Sequence, residues 1–172
     1  IIGPPLKASL AKILNVAVDD DLAEQALLGN RERFAATGCF ENELYGDIKE
    51  TLQQLKAQDY RLFLATAKPE IYAKRILEHF DLLKYFDYPY GSELTGERTN
   101  KADLIAYIIA KEQLKPEECL MVGDREHDIL GARKNGIDTI AVEYGYGSAQ
   151  ELDEAQPKAR IAQFSDLLKV IA

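Results

Sequence analysis

Three short apolar runs, "YRLFLAT" (60–66), "ECLMVGD" (118–124) and "IDTIAV" (137–142), are separated by longer stretches with helical periodicity. Strands this continuously apolar have no wet face, so both faces must be covered. Parallel strands also need a crossover between them, which the intervening helices provide. The pattern predicts an α/β fold: a doubly wound, mainly parallel, Rossmann-like sheet with helices on both sides. Hydrophobic residues make up 47% of the 172 residues, enough for a core of that kind.

The helical stretches carry their own signals. "DIKETLQQLKAQ" (47–58) sets Ile48, Leu52 and Leu55 on one face. "KPEIYAKRILEHF" (68–80) has Pro69 in its first turn and a stripe of Tyr72, Ile76 and Phe80. "NKADLIAYIIAKEQL" (100–114) turns Leu104, Ile105, Ile108 and Ile109 inward, and "REHDILGARKNG" (125–136) stops at Gly136. "FDYPYG" (86–91) reads as a short strand at a sheet edge, because Pro89 cannot donate to a ladder; "KARIAQF" (158–164) reads as a last short strand. Residues 1–44 contain no convincing strand and form a separate small helical unit. It starts at Gly3, Pro4 and Pro5, and "GCFENELYG" joins it to an α/β part at 45–172.

A formal charge of −8 and a pI near 4.9 exclude nucleic-acid polymers and anionic membrane surfaces as partners, since both require clustered Lys and Arg. A small phosphorylated metabolite remains possible, held by a few placed cations and a divalent metal. Cys39 and Cys119 lie 80 positions apart without metal-like spacing, so no disulfide framework is expected. No run reaches the roughly 18 apolar residues of a membrane span, and no signal-peptide pattern is visible. A reducing cytoplasm is the expected location. The oligomeric state is left open.

Ligands of open parallel sheets bind at the carboxyl ends of the strands. Those ends present Thr66, with Ala67 and Lys68 beside it, and Asp124; Lys101 opens the helix between them. A hydroxyl, an ammonium and a carboxylate on one rim suit a phosphoryl group and its cation: Thr donates to an oxygen, Lys supplies compact charge and Asp offers hard oxygen ligands to Mg²⁺. Asp128, four residues after Asp124, falls on the first turn of the next helix and can face the same cation. Arg98 and Ser92, in "GSELTGERTNK", precede Lys101 and can border a substrate; Tyr144 and Tyr146 read first as ordinary loop packing, with a place on the rim of the site as the alternative. His127 and His79 read as ordinary surface and helix residues.

In that order and spacing, "LFLATAK", "ERTNKADLI" and "MVGDREHDILGARKNG" resemble the second, third and fourth motifs of the haloacid dehalogenase superfamily. More narrowly, "ENELYGDIKETLQQLKAQDYRLFLATAKPE" and "IGPPLKASL" resemble its phosphoglycolate phosphatase and 5′-nucleotidase-like branch. The resemblance spans essentially the whole chain. It implies a Mg²⁺-dependent phosphatase working through an aspartyl-phosphate, and a helical cap over the active site. Thr66 would bind the phosphoryl group, with Ala67 and Lys68 adjoining. Lys101 would neutralise it, Asp124 would ligate Mg²⁺, and Asp128 would be a ligand or a partner behind the ligand.

One family motif does not match. The nucleophile and general acid/base come from Asp-x-Asp-x-Thr at the end of a first strand. The only Asp-x-Asp here, Asp19 and Asp21 in "NVAVDDDLAEQ", follows an apolar run broken by Asn15 and lacks the Thr. These aspartates read instead as a helix cap. The family's first strand lies between the Thr-bearing and Gly-Asp strands. Without it, two rows of backbone groups would be unpaired, at roughly 1–3 kcal/mol for each one buried. The expectation is that the parent protein carries a further N-terminal strand of about twenty residues. The competing expectation is a binding or regulatory protein that kept the fold and lost its nucleophile.

Overall fold

The computed structural model describes residues 6–171, so Gly3, Pro4 and Pro5, read as the start of the helical unit, lie outside the described residues. The chain divides into two compact units, Ile1–Glu43 and Leu44–Ala172.

The first unit is helical. α1 (Leu6–Leu14) and α2 (Asp21–Ala36) are followed by a 3₁₀ turn, Gly38–Phe40. Small residues let the helices pack closely: Ala11, Ala23 and Cys39 are buried with Leu27, and Lys7 pairs with Glu24 at 2.5 Å across the two helices. The cap of α2 is Asp20, whose carboxylate accepts from the Leu22 N–H at 2.8 Å. The cap thus falls within the Asp19–Asp21 run, and among the described residues no strand precedes it.

The second unit alternates helix and strand: α3 (Ile48–Ala57), β1 (Phe63–Pro69), α4 (Glu70–His79), β2 (Tyr88–Ser92), α5 (Lys101–Glu112), β3 (Leu120–Gly123), α6 (Glu126–Lys134), β4 (Asp138–Val142), α7 (Ala149–Ala155), β5 (Ala159–Ile161) and α8 (Leu167–Val170). Every strand pairing among the described residues is parallel. The strands form two sheets, β1–β2 and β3–β4–β5. Among the described residues β1 and β3 are each paired on one side only. Pro89 stands in β2, which pairs only with β1 among the described residues and so tolerates the missing donor.

β4 shows why these strands are so apolar. Ile140 and Val142 point into a cluster with Leu55 of α3, Ile161 and Leu167. Ala141, on the opposite face, packs with Ile129, Leu152 and Ala155 of α6 and α7. The alternation follows the two-residue period of a strand, with a core on each side. Under β1 and β2, Tyr90, Leu104 and Ile108 form one cluster and Leu52, Leu77 and Leu82 another. Two details differ from the sequence reading. Strand β1 runs from 63 rather than 60, and α4 buries Ala73 and Leu77 in place of the expected Tyr72, Ile76 and Phe80 stripe. Pro69 is the residue before α4, where its fixed φ of −53° introduces the helix.

Candidate active site

Four sequence-predicted residues stand on the carboxyl rim of the strands, and short-range chemistry decides how each is held. Thr66 lies where β1 leaves its register. Ala65 pairs with Tyr90, but the next partners are Pro69 and Ser92, so residues 66–68 bulge out of the ladder. The Thr66 Oγ1 accepts from the Lys68 N–H at 3.2 Å, closing a tight turn and leaving the hydroxyl proton to donate elsewhere. The bulge is held from β2: Ser92 is 2% exposed and donates its hydroxyl to the Ala67 carbonyl at 2.9 Å. Gly91 allows the crossing, because a Cβ there would stand 2.6 Å from Lys68 O and from Glu70 N. Ser92 therefore braces the bulge, and Ala67 is exposed.

Lys101 is the first residue of α5, whose N-cap Asn100 accepts from the N–H groups of Ala102 and Asp103. Its ammonium donates to the Ala65 carbonyl at 2.7 Å and pairs with Asp128 Oδ1 at 2.8 Å. Both side chains are nearly enclosed, at 13% and 10% exposure, so the pair works at reduced dielectric. Lys101 thereby ties β1 to α6. The other Asp128 oxygen, Oδ2, accepts from the N–H groups of Asp124 (3.2 Å) and Arg125 (3.1 Å), which puts the carboxylate at the N-terminus of α6. Gly123 has to be glycine for this, since its Cβ would meet the Asp128 side chain. Both oxygens of Asp128 are thus engaged.

Asp124 differs. Its Oδ2 accepts from the Tyr146 N–H at 2.7 Å, while Oδ1 has no hydrogen-bond partner among the described residues. No group of three or more His, Cys, Asp or Glu side chains gathers to share a metal among the described residues. A dedicated protein cage is therefore not what this rim offers. It does offer one hard carboxylate oxygen, which suits Mg²⁺: that ion takes one or two carboxylates and fills its shell with water and phosphate oxygens.

The remaining candidates fall elsewhere. Arg98 (φ 59°) pairs with Glu93, and its guanidinium lies 4.5 Å from the Tyr107 ring centroid. His127 is exposed beside Glu126, and His79 ends α4 edge-on to Phe80. Tyr144 packs on the β4 core with its ring 4.6 Å from Tyr45. Burial, reinforced by Asp47, Tyr45 and Asp124, pushes its hydroxyl up to about 12. A cavity of about 380 Å³ opens beside it, lined by Tyr45, Asp47, Tyr144 and Gln163. Tyr146 contributes its backbone N–H, and the residue is 68% exposed. The sequence reading missed two features here: the backbone bond from Tyr146 to Asp124, and the pairing of Arg125 with Glu151 at 2.7 Å. The glycines of "YGYGS" were the available signal.

Residues 1–142 match the family described as haloacid dehalogenase-like hydrolase. The chain belongs to that family. Among relatives, a 5′-nucleotidase of Pseudomonas aeruginosa is 41% identical over 170 residues, covering 99% of this chain and 76% of that protein. A phosphoglycolate phosphatase of Vibrio parahaemolyticus is 31% identical over 176 residues, covering 100% and 75%. The tyrosine-protein kinase PtkA of Mycobacterium tuberculosis is 37% identical over 154 residues, covering 90% of this chain and 52% of the kinase. Of solved structures, a predicted phosphatase from Clostridium acetobutylicum superposes with a TM-score of 0.89 at 40% identity, covering 98% of this chain and 77% of that one. This haloacid dehalogenase-like chain thus shares the α/β fold and parallel strands of its relatives, and its rim residues lie in the segment that the family match covers.

Proposed function

We propose that the chain is the greater part of a Mg²⁺-dependent phosphatase that hydrolyses a small, phosphoglycolate-like phosphomonoester through an aspartyl-phosphate. The observation that carries this reading is the rim itself. A hydroxyl that keeps its proton to donate (Thr66), a nearly enclosed ammonium (Lys101) and a carboxylate with one uncommitted oxygen (Asp124) are tied together through Ala65 O and Asp128. The relatives' names agree only on the movement of phosphoryl groups, and phosphoryl transfer asks mainly for positioning and charge.

In this reading the Thr66 hydroxyl and the backbone at Ala67 hold the transferring phosphoryl oxygens, with Lys68 alongside. Lys101, fixed by Asp128 and Ala65 O, faces their negative charge and cannot swing away. Asp124 Oδ1 would hold Mg²⁺, which supplies positive charge to the phosphoryl oxygens when bound. Asp128 acts behind the ligand, setting Lys101 and the start of α6.

The attacking carboxylate is none of these. Asp128 has both oxygens engaged, and among the described residues Asp19 and Asp21 follow no strand. An aspartate on a further strand, paired with the free sides of β1 and β3, would reach the rim between Thr66 and Asp124. It would attack phosphorus while the second aspartate of the Asp-x-Asp protonates the leaving ester oxygen; that second carboxylate would then take a proton from the water that attacks the aspartyl-phosphate, releasing phosphate and restoring the nucleophile. The 41% identity to a 5′-nucleotidase supports a second substrate class, nucleoside monophosphates, with the same chemistry.

The test is phosphate release from p-nitrophenyl phosphate with Mg²⁺, followed by phosphoglycolate against nucleoside monophosphates. A parent carrying an apolar strand ending in Asp-x-Asp should turn over, and the 172-residue chain should not. Turnover by the 172 residues alone would overturn this account of the nucleophile.

A further inference from the structure

Asp124 is gripped from one side by a loop that makes no other provision for chemistry. The loop, residues 144–148, leaves β4 and enters α7. Tyr146 gives its N–H to Asp124 Oδ2 at 2.7 Å. The glycines on either side permit the approach: a Cβ on Gly145 would overlap the Asp124 carboxylate, and one on Gly147 would overlap the Asp124 carbonyl oxygen. The fit allows no slack, so whatever fixes the loop also fixes Asp124.

The loop is tied down at its far end. Ser148 caps α7 by accepting from the Glu151 N–H at 3.1 Å. The Glu151 carboxylate reaches back to the opposite end of the ring. One oxygen, Oε1, accepts from Arg125 Nε at 2.7 Å and from the Glu126 N–H at 2.9 Å. The two charged side chains are 23% and 18% exposed. Burial works to raise the Glu151 carboxyl, but Arg125 and the Glu126 N–H outweigh it and hold the group below the ordinary carboxylate range. Arg125 is the neighbour of Asp124 in the chain. The contacts therefore close a ring: Asp124 to Tyr146, along the loop to Glu151, across to Arg125, and back.

We propose that Arg125 and Glu151 are positioning residues, a latch that holds the 144–148 loop on Asp124 and so fixes the direction in which its free oxygen is presented. The proposal rests on reading Asp124 as the metal-holding carboxylate. Helix α7 does not depend on the latch for docking, because Leu152 and Ala155 are buried against Ile129 and Ala141. Cutting the latch should loosen the loop and leave the helix in place.

Arg125→Ala, Glu151→Ala and the double variant of the full chain test this, with two readouts. Amide exchange by NMR compares Tyr146 with Ile140 of β4, a reference for global opening. In each single variant the Tyr146 amide should exchange about tenfold faster or more, with Ile140 within about threefold. Mg²⁺ binding by calorimetry should weaken about tenfold, as for other residues that orient metal ligands. The double variant should lose little more than Glu151→Ala alone, since that substitution already removes the Arg125 contact together with the one from the Glu126 N–H, and Arg125→Lys should be milder than Arg125→Ala. Unchanged exchange at Tyr146, equal acceleration at Ile140, or multiplicative losses in the double variant would each overturn the latch. Asp124→Ala separates the two readings. If it leaves Mg²⁺ binding intact, or the unaltered chain binds none, the assignment of Asp124 fails; the latch is still judged by the Tyr146 amide.

Discussion

β4 and the pair β1 and β3 look alike as sequence and are used in opposite ways. β4 is hydrogen-bonded to a strand on each side, and Thr139, Ile140, Ala141 and Val142 are all buried. It contributes no side chain to the candidate site. Among the described residues β1 and β3 are each paired on one side, and none of their residues is fully buried; Thr66 lies in the bulge of β1 and Asp124 directly follows β3. The difference teaches how the second unit divides its labour. The saturated strand carries stability, and the polar groups that chemistry needs stand where ladder and core are incomplete. Burying Asp124 or Lys101 in a β4-like setting would cost several kcal/mol per charge, by the desolvation penalty of ions in protein interiors.

The comparison is broken most sharply by paired substitutions. Asp124→Asn keeps the shape and an acceptor for Tyr146 but removes the charge. In an active parent it should lower kcat by about a thousandfold, with the unfolding midpoint nearly unmoved. Ile140→Ala should do the reverse, costing about 2–5 kcal/mol in urea denaturation through the lost contacts and the cavity left behind, while the surviving folded fraction keeps its KM. If Asp124→Asn proves as destabilising as Ile140→Ala, the division of labour is wrong.

This division was only partly legible in the sequence. Apolar runs declared the strands, and the order Thr66, Lys101, Asp124, Asp128 declared the rim, because both signals are local or carried by recognisable spacing. Burial was not legible: "LMVG" and "TIAV" have the same character, and only pairing partners far along the chain set them apart. The same limit hid the sharing of Lys101 between Ala65 O and Asp128, 36 residues back and 27 ahead. A four-residue spacing places Asp128 on the rim side of α6 without saying whether its oxygens face a cation or an ammonium. The Arg125–Glu151 pair has no sequence period at all. The α4 stripe failed for a related reason: which face of that helix turns towards β1 and β2 is a tertiary fact.

Hydrogen exchange sharpens the comparison at lower cost. The amides of Ile140 and Val142 should exchange only by global opening, whereas those on the free sides of β1 and β3 should open locally and exchange about a hundredfold faster or more. A further strand seated on those free sides would slow β1 and β3 selectively and leave β4 unchanged. Measuring the 172-residue chain beside a longer parent therefore reads the pairing directly, without requiring activity.

The smallest expected effect lies where the two regions meet. Tyr144 follows β4 by two residues, packs on the β4 core and feels the charges of Asp47 and Asp124. Burial first, then those carboxylates, push its hydroxyl up to about 12 from an ordinary value of 10. In the unfolded chain the group ionises near pH 10, while in the folded protein it stays protonated. Stability from this group is therefore complete below about pH 10 and declines as pH rises towards 12, by on the order of 1 kcal/mol. Tyr144→Phe removes the ionisation from both states. The difference in stability between the original chain and this variant should be flat from pH 7 to 9 and then shift in favour of the variant up to pH 11, followed by urea titration. Other tyrosines, such as Tyr88 and Tyr90, titrate in both proteins and cancel in the difference. A difference that stays flat through pH 11 would mean that Tyr144 is as wet as the rim beside it, and that the buried character of β4 ends at Val142.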